Sequence, residues 1–404
     1  MIKDNSILFF RIDKNELLLF VLFIPFFKLL SFNMFQEQHF HESFFKVLEQ
    51  AYDVGRIIAA SFGYLFLIIR KGKRISNYAI AIILLFVAQA IVCLINKSVD
   101  FFFLIKIYTY IGFILIINYS INRSLESVLR VTKALFGILT MAALVTIIVF
   151  PLGFLQASGV YDAVYLLGGK NASFPFYYIF LLSSCLFFNI TNKQFGLPKW
   201  WYLVLALMIY SAIICNSVYA LIAIILISIL SALFVIIKPK FDVGSLSISL
   251  AVLLTFIYLG ASIPAVVRLL ELFGRNATFS YRTLLWNQAF GYIVSNPLFG
   301  AGNGITFSLG PIVTDHTHST YLDMFAKYGI IVLLLLLWTI RCTLKYLAKI
   351  IYKPLKCYLG LFFLIYLVHM GFNDYNYNFF VIIVMLICSV SERLNKDEDL
   401  KTIS

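Results

Sequence analysis

Along this chain Leu, Ile, Val and Phe come in blocks of roughly 15 to 22 residues with few charges, the length an α-helix needs to cross about 30 Å of hydrocarbon. The pattern predicts twelve membrane-spanning helices, at residues 15–33, 57–70, 78–95, 101–117, 134–152, 173–190, 200–215, 217–237, 246–263, 329–341, 358–371 and 378–391. The long apolar stretch from Trp200 to Ile237 is divided at Cys215, Asn216 and Ser217, because two short spans fit it better than one. A β-barrel calls instead for alternation of apolar and polar positions over about 10 residues, which these blocks do not follow. No repeat of about 20 to 50 residues and no Gly/Ser linker divides the chain. The expected architecture is an all-α polytopic integral membrane protein, with residues 1–404 as a single membrane domain.

Composition agrees with the pattern: at 62% hydrophobic residues and a mean hydropathy of +0.93, a water-soluble globule of 404 residues has no place to hide its apolar surface. The net charge of +13 changes the picture only through where it lies. It sits on short connectors: Arg70, Lys71, Lys73 and Arg74; Arg123, Arg130 and Lys133; Lys193 and Lys199; Lys238 and Lys240; Arg341, Lys345, Lys349, Lys353 and Lys356. That is the positive-inside pattern and not a nucleic-acid surface, so these connectors and both termini are read as cytoplasmic. The first apolar run, Glu16 to Asn33, lacks a small-residue cleavage site after it and is read as an uncleaved span. All six cysteines lie in or at the edges of apolar runs without CxxC spacing, which indicates neither a disulfide framework nor a zinc site.

Three outward segments are long enough to hold a site: Met34 to Arg56, Gly153 to Asn171, and a dominant outer loop at 264–328. In that loop Val266 to Phe273 and Tyr281 to Val294 fit amphipathic helices, and Asn296 to Gly304 is turn-rich. Arg268, Arg275 and Arg282 recur every seven residues, nearly one face of a helix, although Gly274 and Asn276 interrupt it. Guanidinium forks at a membrane surface suit a diphosphate; snorkelling to lipid headgroups fits the same residues. The glycines Gly300, Gly302 and Gly304 allow sharp turns that leave amide N–H groups open to an anion or a sugar, though such a turn also serves as a plain connector.

The densest chemistry is Asp315-His316-Thr317-His318-Ser319-Thr320-Tyr321-Leu322, just before the span that follows Tyr328. Histidine titrates near neutrality, which suits a general base; hydrogen bonding at an interface is the plainer role. Asp315, His316 and His318 also have the elements of a metal site, but a further ligand is not evident in the sequence.

These residues resemble the bacterial O-antigen ligases and the related Wzy-type O-antigen and capsule polysaccharide polymerases. The histidine motif of that superfamily, His, then Asn, Ser or Gly, two of any kind, Leu, six of any kind, Gly, is met by His318, Ser319, Leu322 and Gly329, at the end of the large outer loop where the family has it. Arg282 with Trp286, followed by Asn296-Pro297-Leu298-Phe299-Gly300-Ala301-Gly302, is similar to its arginine, tryptophan and Pro-x-x-Gly-x-Gly series. Gly168-Gly169-Lys170-Asn171 resembles a Lys-Asn element of polysaccharide polymerases. Where many ligases carry Ser-Arg before a span, this chain has Asn216-Ser217-Val218-Tyr219, a departure that tilts the reading toward polymerase.

The resemblance implies a GT-C-like membrane fold in the bacterial inner membrane. It implies an inverting, metal-independent glycosyltransferase without cofactor, moving glycan from an undecaprenyl-diphosphate carrier to a sugar hydroxyl. His318 and Arg282 are then the catalytic residues, for the hydroxyl and the diphosphate. Lys170, Asn171, Arg275, Gly300, Gly302, Ser319 and Tyr321 are expected to bind substrate. Membrane lipid and a chain-length-regulating membrane protein are the expected partners, and nucleic acid is not. Two other classes compete: a lipid-oligosaccharide flippase or carrier, and a structural scaffold. Carriers gather polar groups at the midplane of broken helices, whereas mid-span charges here are few, chiefly Lys28 and Lys106.

Overall fold

A computed structural model of the chain describes residues 13–27, 42–69, 75–153, 165–166, 174–192, 199–215, 221, 224–225, 282–309, 312–372 and 377–396. Among these residues the protein is built of α-helices with one two-stranded sheet, as the hydropathy pattern predicts. The helices are α1 (Lys14–Phe23), α2 (Glu42–Ile69), α3 (Asn77–Ile95), α4 (Phe101–Arg123), α5 (Leu125–Val149), α6 (Phe174–Asn192), α7 (Lys199–Ile214), α8 (Arg282–Ser295), α9 (Thr320–Ala348), α10 (Lys353–Phe372) and α11 (Tyr377–Lys396). Seven of them, α2 to α6, α9 and α11, are long and apolar enough to cross a membrane, and shorter apolar helices cover Glu16–Phe26, Trp201–Ile214 and Leu355–Gly371. Ten of the twelve predicted spans are thus met by helices. The spans at 217–237 and 246–263 fall outside the described residues, apart from 221 and 224–225.

Several boundaries differ from the hydropathy reading, two of them at segments taken as outward, and these two for one reason. The span at 57–70 is the second half of α2, which begins at Glu42 inside the segment taken as outward, and the span at 329–341 is the middle of α9, which begins at Thr320 inside the outer loop. A helix does not stop where its apolar stretch stops; its backbone hydrogen bonds continue until a cap ends them. For α9 that cap is Ser319, whose hydroxyl accepts the Leu322 N–H.

The chain forms two compact units, each assembled from separate stretches. The first comprises Met1–Gly72, Leu115–Lys238 and Glu392–Ser404. In it α5 packs along α6, and Phe136 of α5 meets Phe27 at 4.7 Å and Phe176 at 6.1 Å between ring centroids. The Glu16 side chain, 2% exposed, is held by Arg130 of α5 at 2.9 Å and by the Asp13 N–H. Arg130, predicted on a loose connector, is therefore inside a helix with a buried partner; in a medium without water a carboxylate needs one.

The second unit comprises Lys73–Ile114 and Pro239–Ser391. Here α9 packs against α3, α8 and α10. In both units hydroxyls inside apolar helices turn back to their own backbone: Thr132 to the Val128 carbonyl, Ser183 to Ile179, Thr339 to Leu335 and Thr343 to Thr339. Such bonds satisfy a polar side chain where lipid offers none.

One feature of the second unit positions everything around it. The turn at 296–302 crosses α9 backbone against backbone. Gly329 interrupts the helix with φ 79° and ψ −177°, a region essentially restricted to glycine. In an unbroken helix the Ile330 N–H bonds the Ala326 carbonyl. Here it donates to Pro297 O at 2.9 Å, Ala326 O accepts from Ala301 N–H at 2.8 Å, and Lys327 O accepts from Gly302 N–H at 2.9 Å. The crossing leaves no room for a side chain: a Cβ on Gly329 falls 2.1 Å from Leu298 O, and one on Gly300 falls 2.4 Å from Lys327 C. The segment between α3 and α4 secures the other side, with Asn96 Nδ2 donating to Phe299 O at 2.8 Å and Ser98 Oγ accepting from Asn303 N–H at 3.2 Å.

Gly329→Ala is therefore expected to destabilise the protein by about 3 kcal/mol or more, through backbone strain and collision. Gly291, in α8 with nothing within 4 Å of a Cβ, is the control. Gly291→Ala should stabilise by about 0.5–1 kcal/mol. Thermal unfolding of both variants in one detergent checks the pair, and equal midpoints for the two contradict the crossing.

Candidate functional site

The site is assembled on α8, a hairpin and the start of α9. One face of α8 buries Leu285, Trp286, Ala289 and Ile293 against Ile305, Phe307, Leu322 and Ala326. The hairpin pairs β1 (Phe307–Leu309) with β2 (Ile312–Thr314), antiparallel, Ser308 opposite Val313. Gln288 of α8 grips its edge from both sides: Nε2 donates to Ser308 O at 2.8 Å, and Oε1 accepts the Ser308 N–H at 2.9 Å. The hairpin delivers the chain into Asp315, and the histidine segment follows before Ser319 caps α9.

His318 has φ +57°, the left-handed conformation, which costs a non-glycine residue roughly 1–2 kcal/mol. Its neighbours hold it there. The Thr317 N–H donates to Asp323 Oδ1 at 2.8 Å, and the Trp286 indole N–H donates to the Thr317 carbonyl at 3.1 Å. Thr317 Oγ1 donates to Ser319 O at 3.1 Å and accepts the Ser319 N–H at 3.2 Å. Thr317 and Ser319 are fully buried while His318 between them is half-exposed, so a rigid backbone presents one imidazole. Strain of this kind persists only when surrounding bonds over-determine it, and it concentrates at functional positions.

The His316 ring stands edge-to-face to His318, with centroids 4.6 Å apart and planes at 85°. Its Nδ1 lies 2.8 Å from Asp315 Oδ1. That hydrogen bond is the chief reason the Asp315 carboxyl is held well below the usual carboxylate range; partial burial opposes it, and the charges of Lys327 and His316 add to it. Among the described residues, no group of three His, Cys, Asp or Glu side chains is placed to hold a metal ion.

Arg282 is the first residue of α8, half-buried, and Trp286 follows one turn later. Residues four apart share a helix face, so the tryptophan that bonds the backbone beside His318 also sets the orientation of the arginine's helix end. Arginine in a first helical turn opposes the helix dipole by about 0.3–1 kcal/mol, a cost that an anion at that end removes.

The other predicted site residues divide into three groups. Gly300 and Gly302 were expected to offer open amides; in the structure their N–H groups bond Asn296 O and Lys327 O, as part of the backbone crossing. Ser319 caps α9, and Tyr321 is buried with its hydroxyl donated to Leu367 O at 2.9 Å. Lys170, Asn171 and Arg275, like Arg268 and the segment at Asn216-Ser217-Val218-Tyr219, lie outside the described residues. Sequence reasoning missed Asp323, Asn96 and Ser98, which hold the histidine loop and the turn. A signal existed for the last two: Asn96-Lys97-Ser98 is a polar break between two spans. The hairpin also had one, a Gly-Pro pair between β-branched and aromatic residues.

Helical fold and histidine platform together define a class: a multi-pass α-helical membrane protein with a strained histidine just before one of its spans. Residues 203–337 match the model of the family described as O-antigen ligase, so that third of the chain is similar to a family of glycan-transferring membrane enzymes. The matched stretch contains Arg282, Trp286, the glycine turn, His318 and Gly329, in agreement with the superfamily that the motifs resemble. No curated protein matches the chain.

Trp286→Phe keeps a ring in the core but removes the donor to Thr317, leaving a buried carbonyl short of a bond. It should cost about 1–2 kcal/mol, against about 3–5 kcal/mol for Trp286→Ala. Thermal melts of the two variants check this; Trp286→Phe at the wild-type midpoint contradicts the tie.

Proposed function

We propose that the protein polymerises polyprenyl-diphosphate-linked oligosaccharide repeat units into O-antigen or capsule-type polysaccharide at the outer face of the bacterial inner membrane, by an inverting and metal-independent transfer. The observation that carries this reading is His318, held left-handed by four hydrogen bonds at its flanks and tied through Trp286 to the helix that Arg282 begins. The match to a family of O-antigen enzymes supports glycan transfer from a lipid carrier.

The chemistry asks little more. A lipid diphosphate is already a good leaving group, so the protein must steady its charge and remove a proton from the acceptor. The acceptor hydroxyl oxygen bonds the anomeric carbon on the face opposite the diphosphate, the bond from that carbon to the phosphate oxygen breaks, and its electron pair leaves with the diphosphate. His318 takes the hydroxyl proton. Arg282 pairs the departing phosphates, with Lys170 and Arg275 as further cations and Asn171 at the sugar. A membrane protein that sets chain length is the expected partner.

The family description favours a second reading, transfer of finished glycan to lipid A core. The polymerase is preferred because the Ser-Arg of many ligases is replaced by Asn216-Ser217-Val218-Tyr219. The acceptor separates the two: purified protein should lengthen lipid-linked repeat units and leave lipid A core unmodified.

In that assay His318→Ala should lower the rate about a hundredfold to ten-thousandfold, as loss of a general base does, while His316→Ala retains most activity and a chelator changes neither. If both histidines prove essential and a chelator stops the wild type, Asp315, His316 and His318 are metal ligands. Full activity of His318→Ala at normal membrane levels returns the carrier reading.

For Arg282 the expectation is graded. Arg282→Lys should lose less activity than Arg282→Ala, because charge survives and the two-pronged fork does not. Wild-type polymer from Arg282→Ala, at matched protein levels, assigns the arginine to lipid headgroups instead.

A further inference from the structure

The 264–328 segment reads as a loop in water, yet from Thr283 through Thr314 it carries no Asp, Glu, Lys or Arg. Water-borne segments of that length are ordinarily charged; about a quarter of residues in soluble domains are. The structure adds where the apolar surface lies. Opposite its buried face, α8 exposes Leu284, Phe290 and Val294, and the turn that follows exposes Leu298 and Phe299. Val294 is 80% exposed, as much as any side chain on the surface of a candidate span. Apolar residues thus stand on both faces of this helix, and the exposed polar residues among them, Asn287 and Ser295, are uncharged, whereas a helix facing water on one side shows charge there.

The depth of this surface is set by bonds already described. The turn is held to Asn96 and Ser98, which lie between the end of the candidate span Asn77–Ile95 and the start of Phe101–Arg123, and to the backbone at 326–330 in α9. It therefore stands at the mouth of the spans. Phe101 and Phe102, the first residues of α4, are among the most exposed aromatics of the protein, and Leu94 and Ile95 at the end of α3 are exposed as well. The turn that ends α8 is thus bonded to the segment between these exposed ends.

We propose that α8 and its following turn are seated in the membrane interface, with Leu284, Phe290, Val294, Leu298 and Phe299 against the acyl chains at the headgroup boundary. The occupant is the bilayer itself. Polar Asn287, Gln288 and Tyr292 serve the interfacial position, where a side chain with an apolar body and a polar tip is at ease. The hairpin, gripped by Gln288, stands off the membrane. Leu284 lies beside Arg282 in the first turn, so the seat reaches the arginine end of the helix. This inference needs only the membrane class and not the glycan chemistry.

The test is depth measured by spin labels in nanodiscs of phosphatidylethanolamine and phosphatidylglycerol. Cys342→Ser removes the least buried of the six free thiols, and labels are then placed singly by Phe290→Cys, Val294→Cys and Ser308→Cys, all at exposed positions. Labels at 290 and 294 are expected to collide several-fold more with oxygen than with a nickel chelate, and the label at 308 to show the reverse. Nickel access at 290 and 294 equal to that at 308 overturns the seat in favour of water. Dipolar broadening between labels at 294 on two copies overturns it in favour of self-association. Lipid-like labels together with a fully active His318→Ala leave the seat standing and remove the proposed function alone; water-like labels with an inactive His318→Ala do the opposite.

Discussion

The backbone crossing at Gly300, Gly302 and Gly329 is the constraint on which the rest of the second unit depends. Two chain segments approach so closely that their carbonyls and amides exchange partners, Ile330 with Pro297, Ala301 with Ala326, Gly302 with Lys327. Such an approach tolerates hydrogen atoms and nothing larger, so glycine is required there by volume and by φ at once. The crossing breaks the α9 ladder locally, gives the Ile330 N–H and the Ala326 and Lys327 carbonyls new partners, and pins the turn after α8 to a membrane span. With the Trp286 bond to Thr317, it gives the helix that Arg282 begins and the loop with His318 a common frame.

Upon that frame the histidine loop is over-determined. Trp286 from α8 and Asp323 from α9 bond opposite ends of one residue, Thr317, whose hydroxyl in turn braces Ser319. The result is a half-exposed imidazole on a strained but rigid backbone. The glycines, Ser319 and Tyr321 are engaged in bonds that fix this geometry.

The same economy governs the hydrophobic surface. In lipid, exposed Leu and Ile carry no penalty, so α2 can show Ile68 and Ile69 to its surroundings without a partner. Polar groups carry the penalty instead, and several are answered by a specific partner: Glu16 by Arg130 and Asp13, Thr132 by the Val128 carbonyl, Tyr78 by Ser389 at 2.9 Å. Specificity of packing comes from these few bonds and from interlocked rings such as Phe86, Tyr110 and Tyr377, centroids 4.8–5.1 Å apart.

What the sequence by itself determined was the solvent, the class and the candidate chemistry. Block length and charge placement act locally: a run such as Ala79 to Leu94 is helical and membrane-bound whatever its neighbours do, because lipid forces each segment to satisfy its own backbone. His318, Arg282 and the glycines were legible too, through spacing shared with a family. What only the tertiary structure decided was how those residues are employed. That Gly300 and Gly302 close a crossing instead of opening amides, that α9 begins at Thr320 and not at Gly329, and that Trp286, Asp323, Asn96 and Ser98 hold the site all depend on contacts between residues far apart in the chain. Hydropathy and motif spacing are properties of neighbours in sequence: they show the polar break at Asn96-Lys97-Ser98, but not that residue 96 bonds residue 299.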